Sequence, residues 1–430
     1  YKSNFIFKYK RGYSSMKFSK RLKSMQASPI RKLAPFAAQA KSDGVKVYHL
    51  NIGQPDIKTP ECFFKAVKNF NEPVLEYAGS QGLPELINAL QKYYETYDMH
   101  FSKDDFLVTN GGSEALLFTF MAICDPGDNI LIPEPFYTNY NGFGQSINME
   151  VKPITTKAED GFHLPPKEKI VALIDEKTKG ILVSNPGNPT GCVYTKDEVY
   201  MLAEIAKEHD LWIVADEVYR EFIYEGLDYT SFGNVKEIED RCVIIDSVSK
   251  RYSACGARIG SIACKNAELI GEIMKLCQGR LCIATLEQLG AAALFNETPA
   301  SYLKQVNEEY CKRRDTLYNE LMKADGVICK KPMGAFYIVA KLPVDNAEDF
   351  VKWMLTDFRM DNATVMATPA EGFYATHGLG RDEVRLAYIL KEEDLKVAGK
   401  LLAEGLKAYK TAMANRSEER RVGKECRSRW

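Results

Sequence analysis

A chain of 430 residues with 45% apolar and 27% charged side chains has enough material for two packed cores, and no apolar run in it approaches the ~18 residues a membrane helix needs. Its eleven cysteines form no C-x-x-C pair and no cluster with histidines at zinc spacing, so reduced thiols in a cytoplasmic compartment are expected, not a disulfide framework. The net charge of −1 conceals two basic ends; setting aside +4 at residues 1–15 and +3 at residues 416–430 leaves −8, which argues against a nucleic-acid or membrane surface and favours small-molecule chemistry.

Residues 1–15, with four basic and no acidic side chains, read as translation upstream of a start at Met16. A targeting segment is the alternative, since no Asp or Glu occurs before Asp43. Residues 16–58 contain the loop NIGQPD but no core of their own, and are expected to pack on the C-terminal part of the chain. Residues 59–298 are expected to form the large domain. Short β-branched runs recur there at 106–109, 129–132, 150–154, 180–184, 211–215, 242–246 and 259–264, most of them separated by helical-period stretches. Near-continuous apolar strands alternating with helices predict an α/β fold with a mostly parallel seven-stranded sheet, covered by helices on both faces. The texture changes near residue 290 to a charged helical stretch at 301–323, then PMGAFYIVAKLP, which predicts a smaller α+β domain over 299–414. Residues 415–430, ending RSEERRVGKECRSRW, read as a translated adapter. No G-x-G-x-x-G or G-x-x-x-x-G-K-[ST] motif is complete, so nucleotide binding is not supported.

Parallel sheets place ligands beyond the carboxyl ends of their strands, and polar residues collect at four of those ends. After VIID comes SVSKRYSACGARIGS, which brings Ser247, Lys250 and Arg258 off one edge. Asp216 follows the run at 211–215, with Tyr219 three residues on in ADEVYREF. NPGNPTG after the run at 180–184 makes a rigid turn able to aim Asn188 at a ligand. In NGGSEAL, Gly112 lets backbone approach closely while Ser113 opens a helix with free N–H donors. Taken singly, each has an ordinary structural explanation: a solvated loop lysine, an Asp capping a helix, an aromatic packed in a core.

In this order and at these strand ends, the motifs resemble those of the fold-type-I, class I/II aminotransferases, the pyridoxal-phosphate enzymes like aspartate aminotransferase, over roughly residues 25–410. The resemblance implies that Lys250 holds pyridoxal 5′-phosphate as a Schiff base and then serves as the base at the substrate Cα. It implies that Asp216 faces the pyridine nitrogen, that Tyr219 and Asn188 bond the ring hydroxyl, and that Tyr137 of PEPFYTNY stacks on the ring. Gly112, Ser113, Ser247 and Arg258 would receive the phosphate, and Tyr77 of EYAGSQGLPEL would complete that cup from the partner subunit of a homodimer with shared active sites. Arg385 of DEVRLAYI would grip the substrate α-carboxylate in a two-point contact, together with the backbone of Gly53. Asn188 and Tyr137 would also border the substrate.

The implied activity is transfer of an amino group between an L-amino acid and a 2-oxo acid, ping-pong, through a pyridoxamine-phosphate form. Bacterial aspartate-specific members usually carry Lys after the double glycine, where this chain has Ser113 and Glu114, so neutral and aromatic donors stand beside aspartate. A C–S lyase or decarboxylase of the same fold would use the same Lys, Asp, Tyr and Arg. A ligand-sensing regulator would need a helix-turn-helix domain, and the residues before the fold show no such pattern. No metal site is expected.

Overall fold

The computed structural model describes residues 17–26 and 28–427, with side chains to Asn415. The expected upstream segment 1–15 lies outside the described residues, and so do the side chains of 416–430. Twelve strands are present among the described residues: β1 (Lys46–His49), β2 (Phe106–Asn110), β3 (Asn129–Glu134), β4 (Glu150–Thr155), β5 (Thr178–Ser184), β6 (Trp212–Asp216), β7 (Cys242–Ser247), β8 (Ile259–Ala263), β9 (Tyr337–Lys341), β10 (Ala363–Met366), β11 (Thr368–Pro369) and β12 (Glu383–Ala387).

The main sheet has seven strands in the order β2-β8-β7-β6-β5-β3-β4. All pairings from β7 to β4 are parallel, whereas β8 runs antiparallel to both its neighbours. The protein is thus α/β with a mostly parallel sheet, and the apolar runs have a direct physical explanation. Successive side chains of a strand point to opposite faces. Ile181, Val183, Ile213, Ala215 and Ile244 enter one core. Leu182, Val214, Val243 and Ile245, the residues between them, enter the core on the other face. Burial on both faces removes the polar half of the usual alternation.

A third core joins the two ends of the chain, with Leu33, Val47 and Leu50 packed among Ile338, Val365, Leu386 and Leu402. Here β1 pairs in parallel with β10, and β12 lies antiparallel between β11 and β9. The helices Ala300–Leu321 and Ala347–Thr356, and the long helix Glu392–Arg427, cover this part. No described helix is long and apolar enough to cross a membrane.

The direction of β8 matters for the site. Because β8 runs backwards, its first residue reaches the edge where the parallel strands end, with Asn110 opposite Ile259 and Ser247 opposite Gly260. The start of the helix Gly111–Ile123, Ser247 and Arg258 therefore meet at one corner.

Candidate active site

A cavity of about 550 Å³ opens at that edge and reaches up to the third core. It is lined by Gly53, Gly112, Ser113, Tyr137, Asn188, Asp216, Tyr219, Ser247, Lys250, Arg258 and Arg385. Of the residues expected from the sequence, Tyr77 alone lies elsewhere; it is 81% exposed on the outer surface.

Lys250 sits in the short helix Val248–Arg251, whose N-cap is Ser247. The Ser247 hydroxyl accepts the Ser249 N–H at 3.1 Å and donates to the Ile259 carbonyl at 2.9 Å, tying the lysine turn to the start of β8. The Lys250 Nζ donates to the Gly53 carbonyl at 2.9 Å and pairs with no carboxylate among the described residues. Gly53 is required where it stands, because a Cβ there would lie 1.9 Å from the Tyr337 hydroxyl.

Asp216, the last residue of β6, is buried. Its Oδ2 accepts the Tyr140 hydroxyl at 2.6 Å and its Oδ1 the Val218 N–H at 3.4 Å. Loss of water pushes its pKa up to about 6, and the Tyr140 hydrogen bond opposes that rise. The Tyr219 hydroxyl shares a hydrogen bond with that of Tyr337 at 2.9 Å, and burial holds its pKa well above the ordinary range. Tyr137 stands edge-on to Tyr140, with ring centroids 5.5 Å apart, and burial pushes its hydroxyl up to about 12.

Arg258 and Gly111 are shaped around each other. Gly111 has a φ of 71°, and a Cβ there would lie 2.4 Å from Arg258 Nη2. Arg258 itself holds a left-handed φ of 54°, which costs a non-glycine residue about 1–2 kcal/mol. Among the described residues its guanidinium donates only to the carbonyls of Cys255 and Asn110, at 3.2 and 3.4 Å. The first N–H groups of a helix have no partner within it, and here that turn, with Gly112 and Ser113, borders the same space. Glu114, the acidic residue of this turn, bends back to accept the Asn110 N–H and to face Arg280.

Arg385 is the most unusual group. The buried Arg220, Arg251 and Arg314 each face a carboxylate, as a guanidinium taken out of water requires. Arg385 is only 2% exposed, yet it pairs with no carboxylate among the described residues. Its Nη2 donates to the Asn51 carbonyl at 2.6 Å and its Nη1 to Asn188 Oδ1 at 3.3 Å, while its Nε has no partner. The group lies against the rings of Tyr337 and Phe373, 4.7 and 5.0 Å from their centroids. Burial lowers its pKa, the cost of a guanidinium taken out of water with no carboxylate against it among the described residues.

Sequence reasoning missed Tyr140, Tyr337, Ser249 and Arg31, all on the cavity wall. Tyr140 had a weak signal, lying three residues beyond Tyr137 at a helix start, one turn away. Tyr337 had none, since it stands in an apolar strand whose residues otherwise enter the core.

A lysine amine, a buried carboxylate, a helix start beside an arginine and a second arginine that no carboxylate faces among the described residues thus line one cavity. The match to the aminotransferase class I and II family model runs over residues 45–400, and the chain belongs to that family. It is 32% identical over 386 residues to the aspartate/prephenate aminotransferase of Thermus thermophilus, covering 88% of this chain and 96% of that one. It is 31% identical over 387 residues to the aspartate aminotransferase of Bacillus subtilis, covering 87% and 94%. The solved alanine aminotransferase from Pyrococcus furiosus superposes with a TM-score of 0.83 at 31% identity, over 91% of this chain and all of that one. The protein is an aminotransferase of fold type I, with the amino donor left open.

Proposed function

We propose that the cavity holds pyridoxal 5′-phosphate bound to Lys250, and that the protein uses it to exchange an amino group between an L-amino acid and a 2-oxo acid. The observation that carries this reading is the convergence, on one cavity, of the carboxylate-free Lys250 amine, the buried Asp216 and the unpaired, buried Arg385. The residues fit the cofactor. Gly111 leaves open the space beside Arg258 that a Cβ would fill, and the helix start and Arg258 together suit a dianionic phosphate.

When bound, the cofactor supplies a cationic ring that takes up the electron pair left at the substrate Cα. The chain's own residues do the rest. Asp216, braced by Tyr140, keeps a negative charge at the ring nitrogen. Tyr219 and Asn188 donate toward the ring hydroxyl, and Tyr137 packs on the ring face. Ser247, Gly112, Ser113 and Arg258 hold the phosphate, and Arg385 with the backbone of Gly53 holds the substrate α-carboxylate. Lys250, its amine set free once the substrate amine has taken its place on the cofactor, would take the proton from Cα. We further propose that residues 59–298 and 299–414 act as two domains closing over the substrate, with 16–58 moving with the smaller one. The enzyme would be a homodimer in which Tyr77 reaches the partner's phosphate site. A reducing, cytoplasmic location suits the unpaired thiols. The lyase, decarboxylase and ligand-sensor readings are not favoured, because the relatives above are named aminotransferases.

The test is chemical. Holoenzyme treated with borohydride and digested should yield the cofactor fixed to the Lys250 peptide. Mapping to any other lysine refutes the assignment.

A further inference from the structure

Asp216 and Lys250 line the cavity, but the residue that follows each, Glu217 and Arg251, does not. Both belong instead to a cluster of charges behind the site, together with Arg220 and Asp246, and each of the four is at most 2% exposed. Their contacts form an unbroken chain. Glu217 Oε2 accepts Arg220 Nε at 2.9 Å and Nη2 at 2.7 Å, and Arg220 Nη1 donates to Asp246 Oδ2 at 3.3 Å. That same oxygen accepts Arg251 Nη2 at 2.8 Å, while Asp246 Oδ1 accepts the Ser247 N–H at 2.7 Å. The helix Pro84–Glu95 closes the cluster, with the Tyr94 ring 4.9 Å from the guanidinium of Arg220 and the Tyr93 ring 4.2 Å from that of Arg251.

Stability alone is a poor reason for four buried charges, because well-packed apolar residues of similar volume often hold a core as well or better. What the charges add is direction, since a guanidinium presents its donors in a rigid fork. Direction is wanted at this point. The backbone pairing of β6 with β7 ends at Asp216 opposite Ile245, with one last bond from the Glu217 N–H to the Ile245 carbonyl, so it stops short of the Lys250 turn. The chain from Glu217 through Arg220 and Asp246 to Ser247 and Arg251 carries the link onward, from the neighbour of one site residue to the neighbour of the other.

We propose that Asp246, held by Arg220 and Arg251, is a positioning residue that fixes the Lys250 turn against the strand end carrying Asp216, and so sets the reach of the lysine amine to a cofactor seated at Asp216. The proposal rests on the cofactor reading above. The reaction it governs is condensation of the neutral Lys250 amine with the aldehyde of pyridoxal 5′-phosphate, in which the aldehyde oxygen leaves as water with the two amine protons. Pyridoxamine 5′-phosphate has no aldehyde and cannot make that bond. Its binding depends on the pocket but not on where the lysine stands.

The experiment measures the affinity of the full chain, stripped of cofactor, for both compounds, and then kcat and KM of the reconstituted enzyme and its urea unfolding. The variants are Asp246→Asn, the double variant Glu217→Gln/Arg220→Met, which cuts the link without leaving either charge unpaired, and Arg314→Met as a control. Arg314 is equally buried and faces Glu225, but it does not line the cavity. In Asp246→Asn the affinity for pyridoxal phosphate should fall roughly tenfold or more relative to that for pyridoxamine phosphate, and kcat should fall by at least about tenfold with KM within about threefold. The double variant should unfold near the wild-type urea concentration and show the same split, whereas Arg314→Met should lose stability and keep the wild-type ratio of the two affinities. Parallel loss of both compounds in Asp246→Asn would overturn the proposal, because the cluster would then merely support the fold. So would a double variant with the wild-type ratio and kcat, and that variant decides by the same ratio if Asp246→Asn yields no folded protein. A wild type that forms no borohydride-reducible bond with pyridoxal phosphate refutes the cofactor reading itself, and this proposal with it.

Discussion

Asp216 carries the clearest conflict between stability and function at the scale of a single residue. Its unfolded-state pKa is about 3.9, whereas burial raises it to about 6 in the folded chain. Between those values the native state binds more protons than the unfolded state, so this group costs stability as pH rises through the window, and the full cost is present above about pH 6. Asn does not titrate. In the cofactor-free protein, Asp216→Asn should therefore leave stability near wild type at pH 4 and raise it progressively up to pH 6–7, read by urea unfolding at each pH. A gap independent of pH would show that burial of the charge is not the cause. The same substitution in holoenzyme should lower turnover by several powers of ten with much less effect on cofactor retention, because the charge at the ring nitrogen is lost while the shape is kept. Asp216 was legible in the sequence because it follows an apolar run and precedes Tyr219 at D-x-x-Y spacing. Its brace was not, since Tyr140 lies 76 residues away and meets it only across the cavity.

Elements were more legible than contacts, and the sheet shows where that stops. Each of the seven apolar runs became a strand of the main sheet, and in the central strands burial on both faces leaves a continuous pattern that survives in one dimension. Direction did not survive. Nothing in IGSIA distinguishes β8 as antiparallel, yet its reversal is what delivers Arg258 to the corner formed by Ser247 and the helix Gly111–Ile123. That corner yields a prediction in which adjacent glycines behave oppositely. Gly111→Ala places a Cβ in a backbone conformation with φ 71° and drives it into Arg258. It should cost about 1–2 kcal/mol in stability from the backbone alone, and it should weaken cofactor retention as Arg258 is displaced. A Cβ on Gly112 meets only Ile245 and Val218, at ordinary contact distances of 3.6 and 3.7 Å, inside the helix. Gly112→Ala should therefore be neutral or stabilise by up to about 1 kcal/mol while retaining the cofactor, since the backbone N–H is unchanged. Urea unfolding and absorbance titration with the cofactor measure both. Equal behaviour of the two variants would refute the fitted corner.

The whole molecule poses the question of Tyr77, which one chain leaves 81% exposed beside Val74 and Leu75, themselves 62% and 58% exposed. An apolar strip of this kind invites cover, and a second copy of the chain would cover it while carrying the Tyr77 hydroxyl toward a neighbour's phosphate site. Mixing two impaired variants tests this apart from the cofactor chemistry. Lys250→Ala lacks the lysine and Tyr77→Ala lacks the donated hydroxyl, and the two are allowed to exchange subunits. In a hybrid, one site takes Lys250 and Arg258 from the second chain and Tyr77 from the first, and is complete. The other site carries both defects. Activity should rise on mixing above either parent and approach about half the wild-type value per hybrid dimer, the result of one restored site under twofold symmetry. Tyr77→Ala must first be measurably weakened by itself, by roughly tenfold in cofactor retention for the loss of one hydrogen bond to a charged phosphate. No loss in that variant means that another residue closes the phosphate site. A weakened variant that gains nothing on mixing, with exchange verified by mass, means that Tyr77 acts within its own subunit, and the shared site is then refuted while Lys250, Asp216 and Arg385 keep their roles.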